Sequence, residues 1–374
     1  MNFDYNEEQQ LLADSVRRYL AKSYDFEARG KIVAGEGWSA QAWAQFAQMG
    51  LTGLPLAADH GGFGGGAVDL MGVMEAFGEA LVVEPYLPLV LAARLVERGA
   101  SSAEKDAVLP GVIEGRTKLA FAHSEKGTRY ALDAVHASAS RKGARWSVEG
   151  EKSAVIGAPT ADRLVVSARS DGAMQLFLVD IGSVDLQAYS TMDERLAADV
   201  VLRGAQAQPI EGGLALLEEA VDFGATLVCA EAVGAMKFAC DTTLEYLKTR
   251  RQFGVPIGSF QALQHRMVDM MISYEQARSM SYLACVKIDT AEADERRRVI
   301  SAAKIKIADA CRHVSQESVQ LHGGMGMTEE LKVSHTFHQL TVIAQTFGDA
   351  DHHLERFAAC ERAQRTRTET MNAK

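Results

Sequence analysis

The chain lacks most of the features that assign a protein at sight. Its five cysteines (Cys229, Cys240, Cys285, Cys311 and Cys360) form no CxxC pair and no His/Cys cluster at metal spacing, so neither a disulfide framework nor a metal centre is expected. They read as small buried hydrophobes of a reduced, cytosolic protein. The opening Met1-Asn2-Phe3-Asp4-Tyr5 has no basic segment followed by an apolar stretch, so no signal peptide is expected. No apolar run approaches the roughly 18 residues of a membrane span, and no membrane association is expected. Basic residues are dispersed rather than clustered, and the formal net charge is −10, which argues against nucleic acid as a partner. What remains is the composition of a well-packed globular protein, 47% hydrophobic and 24% charged over 374 residues, long enough for two or three structural units.

The texture changes twice along the chain. Up to about residue 115, apolar residues recur at helical spacing: Phe3, Leu11, Leu12, Val16, Tyr19 and Leu20, then Trp43, Phe46, Met49 and Leu51. Between 116 and about 208 the segments are short, β-rich and bounded by Gly, Asp or Pro. They are Leu119–Ala122, Ala134–Ala139, Arg145–Gly150, Arg163–Ala168 and Leu176–Asp180, the spacing of an antiparallel barrel or sandwich. From about Glu211 onward the pattern is helical to the end, broken at Gly254-Val255-Pro256 and Gly323-Gly324. The tail from Arg365 is expected to fray.

Two short stretches carry the chemistry. In Thr249-Arg250-Arg251-Gln252-Phe253-Gly254, Arg250 offers a planar charged fork suited to a pyrophosphate, Gln252 a neutral amide and Phe253 a flat apolar face. In Gln320-Leu321-His322-Gly323-Gly324-Met325-Gly326, the glycines remove Cβ atoms where a backbone must turn or approach a ligand. Either stretch alone could be an ordinary helix cap beside a surface arginine. With Ile257-Gly258-Ser259-Phe260-Gln261 following the first, the pair resembles the FAD-dependent acyl-CoA dehydrogenase family, and the resemblance runs from Tyr5 to about Arg362.

That resemblance implies an acyl-CoA dehydrogenase-like fold: an N-terminal helical domain (1–115), a middle β-barrel domain (116–208) and a C-terminal four-helix-bundle-like domain (209–374). It places a loop between helices at Gly61–Gly66. It implies FAD as cofactor, an acyl-CoA thioester as substrate and an electron-transfer flavoprotein as electron acceptor. Arg250, Gln252, Phe253, Gln261, Gln320, Gly323 and Gly324 would then meet the ADP half of a FAD at a subunit interface, in a homo-oligomer or an α2β2 heterotetramer.

The sequence also departs from the family. The catalytic base is usually a glutamate in a Tyr-Glu-Gly-Thr stretch; here Thr346-Phe347-Gly348-Asp349-Ala350-Asp351-His352-His353 puts Gly348 at its place. The alternative base position falls near Gly224-Ala225. Three acids are candidates instead: Glu231, two helical turns beyond Gly224 in an apolar setting, then Asp349, then Asp351. Against these stand structural roles, an ion pair with a neighbouring Arg or Lys for Glu231 and helix capping or a hydrogen bond to His352 or His353 for the two aspartates. Near the flavin, His123-Ser124-Glu125-Lys126-Gly127-Thr128 replaces the usual Thr-Glu-Pro-x-x-Gly-Ser. In Lys152-Ser153-Ala154-Val155-Ile156-Gly157, Ala154 stands at a tryptophan and Ile156 at a hydroxyl. Intact neighbour-facing motifs beside an altered pocket fit a subunit that completes its partner's site, as in heterotetramers for steroid side chains or dicarboxylic acyl chains. The alternatives are a dehydrogenase active in its own right, a catalytically silent assembly subunit, and a flavin monooxygenase or nitroalkane oxidase-like relative.

Overall fold

The computed structural model describes residues 5–143, 145–289 and 292–372. Among the described residues six α-helices come first: α1 (Glu7–Ser23), α2 (Phe26–Ala34), α3 (Ala40–Gln48), α4 (Ala67–Ala80), α5 (Tyr86–Gly99) and α6 (Ser102–Ile113). Seven strands follow: β1 (Leu119–Ala122), β2 (Ser138–Lys142), β3 (Arg145–Ile156), β4 (Arg163–Ser170), β5 (Ala173–Asp180), β6 (Val184–Ser190) and β7 (Leu196–Ile210). The rest is helical: α7 (Gly213–Thr249), the hairpin β8 (Arg251–Gln252) and β9 (Val255–Pro256), then α8 (Gln261–Ile288), α9 (Ala293–His322), α10 (Lys332–Gln345) and α11 (Ala350–Asn372). Local chemistry sets several starts. Asn6 and Gln9 close a capping box on α1, and Ser39 and Ser101 cap α3 and α6. Gly61–Gly66 is a loop ahead of α4, as expected.

The chain packs as two compact units, each drawn from separated stretches. One comprises residues up to Arg29, Ala67–Val82 and Ala225 onward; the other comprises Gly30–Gly66 and Val83–Gly224. In the first, the interior is filled by Val16, Leu20, Leu70, Met74, Phe77, Val228, Met236, Met270, Ile300, Ile307 and Val314, all buried. By length and composition α7 could cross a membrane, where the sequence shows no unbroken apolar run of that length. Its most apolar window is 89% buried inside the protein, so its apolarity serves the interior. Four thiols, Cys229, Cys240, Cys285 and Cys311, lie buried here, and Cys360 is half-buried on α11. Helix α11 runs through the tail where fraying is expected, as far as Asn372.

In the second unit the strand pairings close on themselves. β4 pairs β2, β2 pairs β3, β3 pairs β7, β7 pairs β5, and β5 returns to β4. β1 and β6 attach outside this ring, on β4 and β7. The barrel of the sequence expectation is therefore present, mostly antiparallel, with β1 parallel to β4 as the main exception. Leu164, Val165 and Val166 are buried in succession, so β4 is covered on both faces. The expected strand at Ala134–Ala139 is displaced to Ser138–Lys142 because the backbone before it is engaged by side chains. His136 and Ala137 N–H groups donate to Glu125, and the Asp133 and Val135 carbonyls accept from Arg169.

Candidate active site

Both motif stretches emerge at one end of the helical unit. α7 and α9 run parallel there: Thr243 Oγ1 donates to Ser318 Oγ at 3.1 Å, and three residues on the Tyr246 ring stacks on His322 at 4.5 Å. The β8–β9 hairpin leaves the end of α7, and the 3-10 turn Gly323–Met327 leaves the end of α9. Phe253 and Gly254 form the hairpin tip with φ of 54° and 83°, both left-handed, which suits a two-residue turn. Phe253 is 91% exposed and meets Phe260 edge-on at 6.2 Å. Val255, Phe260, Met325 and Met327 are exposed apolar side chains in the same two segments.

The cofactor candidates Arg250, Gln252, Phe253, Gln261, Gln320, Gly323 and Gly324 are all exposed. Nothing lies within 4 Å of the side-chain space of Gly323 and Gly324, and Gly323 holds a left-handed φ of 61°. α8 starts at Gln261 with Phe260 as N-cap and no side-chain cap on its first-turn N–H groups. Arg250, exposed amides and an uncapped helix start form a donor set that fits an extended anionic group such as an ADP moiety.

The base candidates have separate settings. Glu231 is 2% exposed on α7 and accepts from Gln339 Nε2 at 2.9 Å, a neutral amide on α10 where the sequence suggested a Lys or Arg. Asp349 caps α11, its Oδ1 accepting from His352 N at 2.9 Å, and Asp351 is exposed in the first turn of that helix. Gly224 is buried in α7, with Ala225 beside it.

Gly348 is buried in a reversed turn, with Phe347 at φ 58° and Gly348 at φ 117°. Two α9 side chains one turn apart hold this turn. Lys304 Nζ donates to the carbonyls of Ile343 (3.0 Å) and Thr346 (2.8 Å), and burial pushes its ammonium below the usual lysine range. Ser301 Oγ lies 3.3 Å from His353 Nδ1, while His353 Nε2 meets the Phe347 carbonyl at 3.0 Å. Donation by the Nε2–H leaves Nδ1 to accept from Ser301, the neutral tautomer. Burial, with Lys304 nearby, lowers the His353 pKa to about 3, and burial also lowers that of His352.

In the β-barrel unit the two altered pocket segments are fastened to each other. Ser153 N donates to Ser124 O at 2.8 Å, and Lys152 Nζ reaches Glu125 Oε1 at 2.6 Å, Ser167 Oγ at 2.9 Å and His123 O at 3.3 Å. His123 Nδ1 lies 2.9 Å from the same Ser167 hydroxyl. Burial lowers the Lys152 pKa to about 8. Burial also raises the Glu125 carboxyl, but Lys152 and the His136 and Ala137 amides outweigh it and hold the group below its ordinary value. The pair is therefore ionised at neutral pH. His123 is lowered to about 4, by burial first and then by the Lys152 charge. No sequence motif marks this network. Its signal is strand alternation, which turns Lys152 inward on the same face as Val148, before the bulge shifts the register. Ala154 sits in the β3 bulge at φ 53°, its N–H donating to Asp199 Oδ1 at 3.1 Å.

Comparison with known proteins identifies the family and the fold. Residues 6–116 match the acyl-CoA dehydrogenase N-terminal domain and residues 211–360 match the acyl-CoA dehydrogenase C-terminal domain. The chain is 28% identical over 357 residues to the acyl-CoA dehydrogenase FadE12 of Mycobacterium tuberculosis, covering 89% of this chain and 90% of that one. It is 29% identical over 330 residues to the acyl-CoA dehydrogenase IpdE2 of the same organism, covering 87% and 88%. A chain of the ChsE4-ChsE5 complex from M. tuberculosis superposes with a TM-score of 0.89 at 25% identity, over 96% of this chain and 98% of that one. The two domain matches take in the greater part of the sequence, and the chain belongs to the acyl-CoA dehydrogenase family.

Proposed function

We propose that this chain is one subunit of an FAD-dependent acyl-CoA dehydrogenase of the α2β2 type, completing the cofactor site of a partner subunit that carries the catalytic base. The observation that carries the reading is the contrast between its two kinds of site. The donor set of Arg250, the hairpin and the glycine turn is exposed and sterically open, whereas Gly348 and Gly224 occupy both usual base positions. When bound, FAD would accept the hydride from the β-carbon as a base takes the α-proton. Arg250 would pair with the pyrophosphate, Gln252, Gln261 and Gln320 would offer amides, Gly323 and Gly324 would admit close approach, and Phe253 would supply an apolar face. A steroid acyl-CoA dehydrogenase and the two-component ChsE4-ChsE5 complex among its structural relatives support a bulky acyl chain and a heteromeric assembly. An electron-transfer flavoprotein as acceptor, the cytoplasm and β-oxidation belong to the reading through the family. The domain boundaries near 116 and 209 belong to the same reading.

The test is the visible spectrum of the chain purified alone and after co-expression with its genomic neighbour. FAD retained only on co-expression, in a complex of four subunits, is the expected result. A chain that holds FAD and oxidises acyl-CoA by itself would overturn the partner role.

A further inference from the structure

Gly348 stands where the resemblance places the catalytic glutamate, and the volume a side chain would need there is filled. A Cβ at position 348 would lie 2.5 Å from His353 Nε2, 2.7 Å from His352 Cδ2 and 2.8 Å from His353 Cδ2. Real Cβ atoms do not approach other heavy atoms so closely, and φ 117° strains any L side chain. The obstructing group is fixed: His353 is 1% exposed, and both ring nitrogens are engaged, one by Ser301 and the other by the Phe347 carbonyl. Its backbone is fixed as well, since His353 N donates to Asp349 O at 3.1 Å in the turn that Asp349 caps.

Resting on the reading that position 348 is a vacated base position, we propose that His353 is a positioning residue that takes over the side-chain space of residue 348 and holds the reversed Phe347–Gly348 turn. The chain is then baseless there by construction, and replacing the glycine by glutamate does not restore a base. The His353 imidazole has to leave, and the His352 ring to turn aside, before a carboxylate can enter. The partner-dependent chemistry would thus rest on position 348 together with a residue five positions on, His353, whose ring is held from both sides.

The inference is tested on the co-expressed complex with five forms of this chain: the parent, Gly348→Ala, Gly348→Glu, His353→Ala and Gly348→Glu/His353→Ala, with Gly348→Ala/His353→Ala closing a stability cycle. In thermal unfolding, Gly348→Ala should lower the midpoint by several degrees, and His353→Ala should recover part of that loss in the double variant. Strictly additive losses would overturn the shared-space claim. Should His353→Ala not fold, His353→Asn replaces it, shortening the side chain while keeping an N–H for the Phe347 carbonyl. The chemical readout is loss of α-deuterium from 2,2-dideuterobutyryl-CoA to water. A carboxylate takes the α-deuteron, the C–D electron pair stays on the thioester as an enolate, and a solvent proton returns to carbon. The partner's own glutamate is replaced by glutamine in all samples, so exchange reports this chain. Gly348→Glu should match the parent, and Gly348→Glu/His353→Ala should exceed it at least tenfold, rising with pH as a carboxylate ionises. Equal exchange in these two variants, whether both are silent or both active, would overturn the proposal. FAD content of the parent complex, read on the same samples, reports separately on the cofactor reading.

Discussion

Gly78 on α4 and Gly234 on α7 stand at one helix crossing, each against the other helix's backbone. A Cβ on Gly78 would overlap the Glu231 carbonyl, and a Cβ on Gly234 would overlap the Glu75 carbonyl. Neither obstacle is a side chain that could rotate away, so the helices must part to admit a methyl group. Gly78→Ala and Gly234→Ala should each destabilise by about 1–3 kcal/mol, the usual range for overpacking. Gly30→Ala, where nothing lies within 4 Å, should be neutral or stabilising. Urea denaturation of the three variants checks this.

Arg250→Ala should weaken FAD retention by about 1.5–3 kcal/mol, the range for a hydrogen bond to a charged group, without a change in melting temperature of the apo chain. Arg250 is exposed and the fold does not depend on it. Flavin absorbance after gel filtration of the co-expressed complex measures the effect; unchanged flavin content would remove Arg250 from the site.

Glu231→Gln keeps an acceptor for Gln339 Nε2 and preserves volume. If the partner takes the proton, flavin reduction by acyl-CoA stays at the parent rate in this variant. A fall of about 100-fold or more with FAD still bound would make Glu231 the base.

The Lys152–Glu125 pair is buried, so removing one member leaves an uncompensated charge. Glu125→Ala should cost about 3–5 kcal/mol, and Glu125→Leu with Lys152→Met distinctly less, because no charge is then stranded. Thermal unfolding of both variants decides it. An equal loss in both would mean that packing, not charge, is the larger effect.

Stability should fall on acidification below the ordinary histidine range. His353 stays neutral in the fold down to pH about 3, whereas an unfolded histidine takes its proton near pH 6.5. Across that window the unfolded chain binds more protons, so stability is fully present above about pH 6.5 and is lost at up to about 1.4 kcal/mol per pH unit as pH falls. His123, lowered to about 4, acts in the same sense. His353→Asn should flatten the acid limb of a stability–pH curve measured by denaturant unfolding; an unchanged slope would contradict the buried neutral state.

Much of the fold was legible because periodicity reports on local burial. The helical texture before Leu119 and after Ile210 and the short apolar strands between them follow from which side chains face inward. Periodicity puts a strand at Ala134–Ala139 where the structure has none before Ser138, because the N–H and C=O groups there bond to the side chains of Glu125 and Arg169, which leave no trace in the periodicity. The parallel pairing of β1 with β4 is hidden for the same reason. At the site, the Arg250 and Gly323-Gly324 stretches stand out in the sequence because arginine and glycine are chemically distinctive, and the structure shows both exposed. Nothing about alanine announces the left-handed Ala154, and the meeting of His353 with position 348 depends on a turn that only three dimensions show.

The thiols described above bear on how the protein can be handled. Burial raises Cys229, Cys240 and Cys311 to about 12 and Cys285 well above its ordinary value, so at neutral pH none of the four offers appreciable thiolate. Cys360, partly accessible on α11, is left as the one site open to an alkylating reagent. The folded chain should therefore label as a single-cysteine protein, and a probe on that sulfur watches the last helix while the interior stays chemically silent.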